Sequence, residues 1–281
     1  MKIGMVSTYF TDTHTNNELE LCRGLVTLGH DVTLFTSNRL PPRFYKKDIN
    51  PVKEKESFVE GFKVIRVPVF FEALENPYCP NLERRIQDNF DLVHGQEYYT
   101  FNSWQAYKAS KEMGVPFVFT QHRHYYPTGF WMLPFWFCDK VMSNGIIGII
   151  KGANGITAIS EASKYFLVEG YDVPPERIDV IPHGVASDKY HPQVSGESFR
   201  ERLGLSDEPI ILTVGRLTYD KGIDMTLKML PTIKKKIPSA KLVIVGRGPD
   251  EMKFRELAKQ LSIEDSAFFV TKYIPTVEMP S

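Results

Sequence analysis

Short runs of apolar residues recur along the chain, each closed by glycine or polar residues. Between several of them, apolar residues return at helical spacing. Ile3 to Ser7, Asp31 to Thr36, Lys63 to Val69, Asp91 to His94, Pro116 to Thr120, Ile156 to Ile159 and Ile178 to Ile181 read as strands. Further on, 210–214, 241–245 and 267–270 read the same way. Helices are expected over Glu18 to Leu28, ended by Gly29, and over Phe101 to Met113, with Trp104, Tyr107 and Met113 on its buried side. Another starts at Glu161, where Ser160 can cap it. Two more run from Gly222, with Ile223, Leu227, Leu230 and Ile233 on one face, and over 250–261. Pro231 should kink the first of these two. Residues 38–62, rich in proline and charge, read as loop.

Strands alternating with helices predict an α/β protein with parallel sheets. The polar connector from Ala186 to Gly196 divides the pattern. We therefore expect two Rossmann-like domains, 1–190 and 191–281, the second with about three strands and so incomplete, since sheets usually hold about five. The chain's 281 residues suffice for two domains of ordinary size.

Composition narrows the classes. Lys+Arg and Asp+Glu both number 34, so formal net charge is zero and nothing global calls for nucleic acid. The apolar fraction of 42% and charged fraction of 24% suit a soluble globular protein. Cys22, Cys79 and Cys138 show no metal-ligand spacing and read as reduced thiols, so no metal is expected. The chain opens directly on a strand, which gives no sign of a signal peptide. The most apolar stretch, Gly129 to Ile150, is interrupted by Pro134, Asp139, Lys140 and Asn144, unlike the roughly 20 apolar residues of a spanning helix.

Candidate chemistry gathers where strands end. In Gly215-Arg-Leu-Thr-Tyr-Asp-Lys-Gly222, the cations Arg216 and Lys221 follow a strand and precede a helix. Ligands bind at that edge of open α/β sheets, and helix N-termini favour anions. A diphosphate would suit the two cations; solvated loop charges are the plainer alternative. Gln96 and His94, and then His122 and His124, come at two other strand ends. Histidine titrates near working pH and can donate to a sugar hydroxyl, or it can simply tie down a loop. Between Gly129 and Cys138, Phe130, Trp131, Met132, Leu133, Phe135, Trp136 and Phe137 crowd together beside Lys140, as core or as a surface meeting a membrane interface.

Three further stretches accompany the Arg216 loop: Gly155-Ile-Thr-Ala-Ile-Ser-Glu-Ala-Ser-Lys164, Pro174-Pro-Glu-Arg-Ile-Asp-Val-Ile-Pro-His-Gly-Val185 and Ala240-Lys-Leu-Val-Ile-Val-Gly-Arg-Gly-Pro249. In this order the chain resembles a GT-B glycosyltransferase of the retaining family 4 over nearly its whole length. The resemblance implies transfer of a sugar from a nucleotide-diphosphate sugar to an acceptor hydroxyl with retention at the anomeric carbon. It implies that Gly215, Arg216, Lys221 and Gly222 hold the donor diphosphate and that Gly184, Gly246 and Gly248 line the donor cleft. It implies that His122 lies near the transferred sugar, with His94, Gln96, Asn16 and Asn17 on the acceptor side. The family's glycine pair in the first loop is absent; Asn16-Asn17 or Asp12-Thr13 stand there instead. The implied acceptor is a sugar or a lipid-linked one, with no cofactor, no metal and no nucleic acid. The implied location is the cytoplasm, peripheral at the inner face of the membrane through residues 129–138. The resemblance implies that the family's Glu-x7-Glu motif would follow Ser281, so a fragment or truncated form is expected.

Two rivals remain at this point. One is a catalytically inactive sugar-nucleotide-binding module; the other is a sugar-nucleotide epimerase of the same fold. A nicotinamide dehydrogenase is disfavoured, because no Gly-x-Gly-x-x-Gly follows the first strand.

Overall fold

The structure is a computed structural model that describes residues 1–12, 16–40, 52–73, 76–87, 89–123, 143–272, 274 and 278–280. The chain divides into two compact units, Met1–Ala186 and Ser187–Ser281.

In the first unit the elements follow in the order β1 (Lys2–Val6), α1 (Asn17–Thr27), β2 (Asp31–Ser37), β3 (Glu56–Val59), β4 (Phe62–Val67), β5 (Phe71–Ala73), β6 (Asn76–Tyr78), α2 (Leu82–Arg85) and β7 (Leu92–Gln96). They continue with α3 (Phe101–Met113), β8 (Phe117–Gln121), α4 (Ser143–Gly152), β9 (Gly155–Ala158), α5 (Glu161–Tyr171) and β10 (Ile178–Val180). Among the described residues, eight strands form one sheet in the order β10-β9-β8-β7-β1-β2-β4-β3. Every pairing is parallel except the antiparallel β3–β4 hairpin. Parallel strands are buried on both faces, which is why they read as continuous apolar runs. On one face, Leu19 and Cys22 of α1 pack with Ile3, Met5, Val32, Leu34 and Val64. On the other, Ala106 and Ala109 of α3, Ile149 and Ile150 of α4 and Leu167 of α5 pack with Val93, Phe117, Phe119 and Ile156.

The stretch 38–62 is not all loop, because its last residues form β3. There Phe58 is exposed and Ser57 and Val59 are half-buried, so the apolar residue sits on the wet face of an edge strand. That inversion hides the strand from a reading of apolar alternation. The hairpin turns at Glu60 and Gly61, with φ of 44° and 92°. Only glycine suits the second position, where a Cβ would stand 2.9 Å from Val26. The small β5–β6 hairpin was not foreseen either. The inner face of α3 also differs from expectation. Its deepest positions are Asn102, Ser103, Ala106, Ala109 and Ser110, while Trp104, Tyr107 and Met113 pack at its flanks. Small residues let α3 approach β7 closely: a Cβ on Gly95 would lie 3.0 Å from the Ser103 Oγ.

The second unit contains α6 (Glu197–Arg202), β11 (Ile210–Val214), α7 (Ile223–Lys234), β12 (Lys241–Val245), α8 (Glu251–Gln260) and β13 (Ala267–Val270). Its parallel sheet has the order β11-β12-β13. Leu227 and Leu230 of α7 and Phe254 and Ala258 of α8 close over Leu242 and Ile244. Pro231 lies inside α7, which continues past it to Lys234.

Candidate functional site

The parallel sheet of the first unit sends the carboxyl ends of β1, β7, β8, β9 and β10 to one edge, where open α/β sheets bind ligands. His122 is the first residue after β8. Its Nε2 lies 2.8 Å from Oε1 of the buried Gln96 at the end of β7. The His183 ring, after β10, stacks on it with centroids 5.1 Å apart. Burial, and then the neighbouring His183, push the His122 pKa down to about 4. The ring is therefore a neutral hydrogen-bonding group at neutral pH.

His94 is placed differently from expectation. β7 runs on to Gln96, so His94 sits inside the strand rather than at its end. Its Nε2 is 2.7 Å from the Thr120 hydroxyl, which is 2.8 Å from that of Thr157. A row of polar groups thus crosses β7, β8 and β9. Burial, followed by the nearby His122, lowers the His94 pKa to about 4. Asn16 is the N-cap of α1: its Oδ1 accepts from the Leu19 N–H at 2.8 Å and its Nδ2 donates to the Thr11 carbonyl at 2.6 Å. Asn17 is exposed in the first turn. Both positions are explained locally by the start of a helix.

Five residues at this edge, Ser7, Glu18, Glu97, Arg123 and His183, are not singled out by the sequence. The Ser7 hydroxyl donates to Oε1 of Glu18 at 2.9 Å, and burial raises the Glu18 pKa. Glu97, directly after β7, adopts a φ of 66°, and burial raises its pKa to about 7. Arg123 lies 3.9 Å over the Tyr99 ring. His183 completes the set. Glu97, Arg123 and His183 each neighbour a residue already singled out, so proximity to a strand end was the available signal. His124 and residues 129–138 lie outside the described residues.

In the second unit, Gly215 leads from β11 into the cation loop. Its N–H donates to the Val245 carbonyl at 2.9 Å, and Leu217 N–H donates to the Arg247 carbonyl at 2.9 Å. These bonds lace the loop to the one after β12. Gly246 and Gly248 are what allow it: Cβ atoms there would lie 1.8 Å from the Gly215 oxygen and 2.2 Å from the Leu217 oxygen. The two glycines are thus demanded by loop packing. A Cβ on Gly184, by contrast, would meet nothing within 4 Å. Tyr219–Lys221 form a single 3-10 turn, and Gly222, in the left-handed region at φ 67°, precedes α7 without a side-chain cap.

Arg216 and Lys221 are not the bare pair of cations the sequence suggested. The Oδ2 of Asp220 lies 3.9 Å from Arg216 Nη2 and 3.8 Å from Lys221 Nζ. All three side chains are partly exposed, and contacts of this length in water are worth roughly 0–1 kcal/mol. A diphosphate, with more charge and more acceptors, can displace the carboxylate from both cations.

Among the described residues, no group of three or more His, Cys, Asp or Glu could hold a metal ion, and no helix is long and apolar enough to cross a membrane.

The two parallel-sheet α/β units share the GT-B class of fold with glycosyltransferases of known structure. Comparison with known proteins gives the family. Residues 19–189 match Glycosyltransferase Family 4 and residues 195–280 match Glycosyl transferases group 1. The chain belongs to this glycosyltransferase family. It is 27% identical over 301 aligned positions to the alpha-monoglucosyldiacylglycerol synthase of Streptococcus pneumoniae, covering 98% of this chain and 62% of that protein. It is 29% identical to the GDP-mannose-dependent alpha-(1-6)-phosphatidylinositol monomannoside mannosyltransferase of Mycolicibacterium smegmatis, over 56% of this chain and 40% of that one. The chain thus spans less than two thirds of either relative. The Anabaena protein HepE, solved in complex with UDP, shares the fold with a TM-score of 0.67 at 15% identity, covering 99% of this chain and 71% of HepE.

Proposed function

We propose that this chain takes part in glycosyl transfer from a nucleotide-diphosphate sugar to an acceptor hydroxyl, with retention at the anomeric carbon. The observation that carries the reading is the loop after β11, where Arg216 and Lys221 share one weakly held carboxylate beside the start of α7. In this reading Gly215, Arg216, Lys221 and Gly222 receive the diphosphate. The leaving group then gains charge where cations already stand, which is how preorganised electrostatics lowers a barrier. His122, neutral and oriented by Gln96, donates to or accepts from the transferred sugar. Residues 1–190 form the acceptor side and 191–281 the donor side. Gly184 is assigned with Gly246 and Gly248 to donor binding, the last two through the packing they allow beside the diphosphate loop.

Support comes from family membership and from the UDP held by HepE. The two curated relatives are named for lipid acceptors, so we assign this chain a lipid-linked or sugar acceptor and peripheral work at the cytoplasmic face of a membrane. Incubation with radiolabelled UDP-glucose and GDP-mannose, with diacylglycerol-containing or phosphatidylinositol-containing vesicles, tests the reading. Transfer to lipid or slow donor hydrolysis supports it; binding without turnover would favour a sugar-nucleotide-binding module.

A further inference from the structure

Glu97 has no part in the reading above, yet the structure holds it under strain. It follows β7 with a φ of 66°, where an L residue with a Cβ is disfavoured by roughly 1–2 kcal/mol. Such conformations persist where the surroundings over-determine them, often at functional sites. Its N–H donates to the Thr120 carbonyl at 2.9 Å, fastening the end of β7 to β8. Its carboxyl faces the backbone N–H groups of His122 and Arg123, and its Oε2 is buried with no hydrogen-bond partner among the described residues. The charges around it are the Arg123 guanidinium, of opposite sign, and Glu18 from α1, of like sign. Tyr98 and Tyr99 follow it in the chain and stand near the same Arg123. The preceding residue, Gln96, contacts the His122 ring.

We propose that Glu97 is a positioning residue for His122: its carboxylate fixes the backbone of His122 and Arg123 after β8 while Gln96 fixes the ring. Two consecutive side chains would then control one histidine, one through its backbone and one through its imidazole. Protonating Glu97 removes the charge that draws the two amides, and the backbone at His122 and Arg123 relaxes. Burial pushes the Glu97 pKa up to about 7, so this change falls near neutral pH. The His122 ring, pushed down to about 4, does not titrate there. Only the consequence for turnover rests on the proposed role of His122 in glycosyl transfer; the positioning itself is a property of the first unit.

NMR on the whole chain tests this without any activity measurement. With 15N-labelled histidine, the His122 ring signals are assigned by their loss in His122→Gln. In the wild type they should shift with a midpoint near pH 7, and Glu97→Gln should abolish the inflection. An inflection that survives Glu97→Gln belongs to another group, such as His183 stacked on the ring, and overturns the proposal. Should Glu97→Gln fail to fold, the wild type still decides. The backbone N–H signals of His122 and Arg123 should move with the same midpoint near 7. Signals that stay fixed between pH 6 and 8 would refute the positioning role. Neither result depends on the loop at 215–222, so loss of donor binding and loss of this coupling are separate outcomes.

Discussion

Replacing His94 by glutamine should change how stability depends on pH, and the structure sets the size of the change. His94 is enclosed, bonded to Thr120, and held neutral, with its pKa lowered from 6.5 to about 4. In the unfolded chain it titrates near 6.5. Between these values the unfolded state binds a proton that the folded state refuses. The stabilisation is therefore complete above pH 6.5 and is lost as pH falls toward 4. One pKa unit corresponds to about 1.4 kcal/mol, so at pH 5 the wild type has lost roughly 2 kcal/mol through this residue alone. Glutamine keeps a hydrogen-bonding group near Thr120 and does not titrate. At pH 7.5, His94→Gln should be less stable by about 1 kcal/mol for an imperfect hydrogen bond and poorer packing. At pH 5 that deficit should vanish or reverse, a swing of about 2 kcal/mol. Trp104, Trp131 and Trp136 all fall within Met1–Ala186, so urea denaturation followed by tryptophan fluorescence reports on this unit. Comparing the two proteins at each pH cancels the opposing slope from Glu97 and Glu18, whose raised pKa values favour the folded state at low pH. A deficit that stays constant from pH 7.5 to 5 would show that His94 is not held neutral, and the argument would fail.

Other expectations follow from single distances. Gly246→Ala places a Cβ 1.8 Å from the Gly215 carbonyl oxygen and should lower stability by about 1–3 kcal/mol or more, whereas Gly184→Ala should change it by less than about 0.5 kcal/mol; thermal melts compare them. Asp220→Asn removes the carboxylate shared by Arg216 and Lys221 and should tighten UDP binding a few-fold, in line with the roughly 0–1 kcal/mol of an exposed ion contact; calorimetry showing weaker binding would oppose the displacement argument. Cys22 and Cys79, buried with pKa values raised to about 12, should resist thiol reagents at pH 8 in the native protein and react in urea, as site-resolved mass spectrometry would show.

The parallel strands of the two larger sheets are legible because they are apolar on both faces. β11, β12 and β13 run over the residues their apolar runs suggested, and α3 over the expected span. β3 was hidden because an edge strand exposing Phe58 inverts the usual pattern. β5 and β6, three residues each, are too short for periodicity to register. At the candidate site, Arg216, Lys221 and His122 are proposed from residue type and place in the sequence, while their neighbours in the fold needed three dimensions. Asp220 stood between the cations in the sequence, but only the fold sets its carboxylate about equally far from both. The polar residues after His94 suggest a strand end there; β7 instead continues through them to Gln96. The strain at Glu97 is a backbone property that no residue pattern announces.

Titrating UDP into the wild type, Lys221→Ala and Arg216→Lys by calorimetry tests the central claim most directly. Each charged hydrogen bond lost should cost about 1.5–3 kcal/mol, so Lys221→Ala should bind roughly ten- to a hundredfold more weakly. Arg216→Lys should also weaken binding, because a point charge replaces a planar fork. Affinity should fall with added salt, since both side chains are partly exposed. Equal affinities in all three proteins would place the diphosphate elsewhere and leave the loop after β11 as ordinary solvated charge.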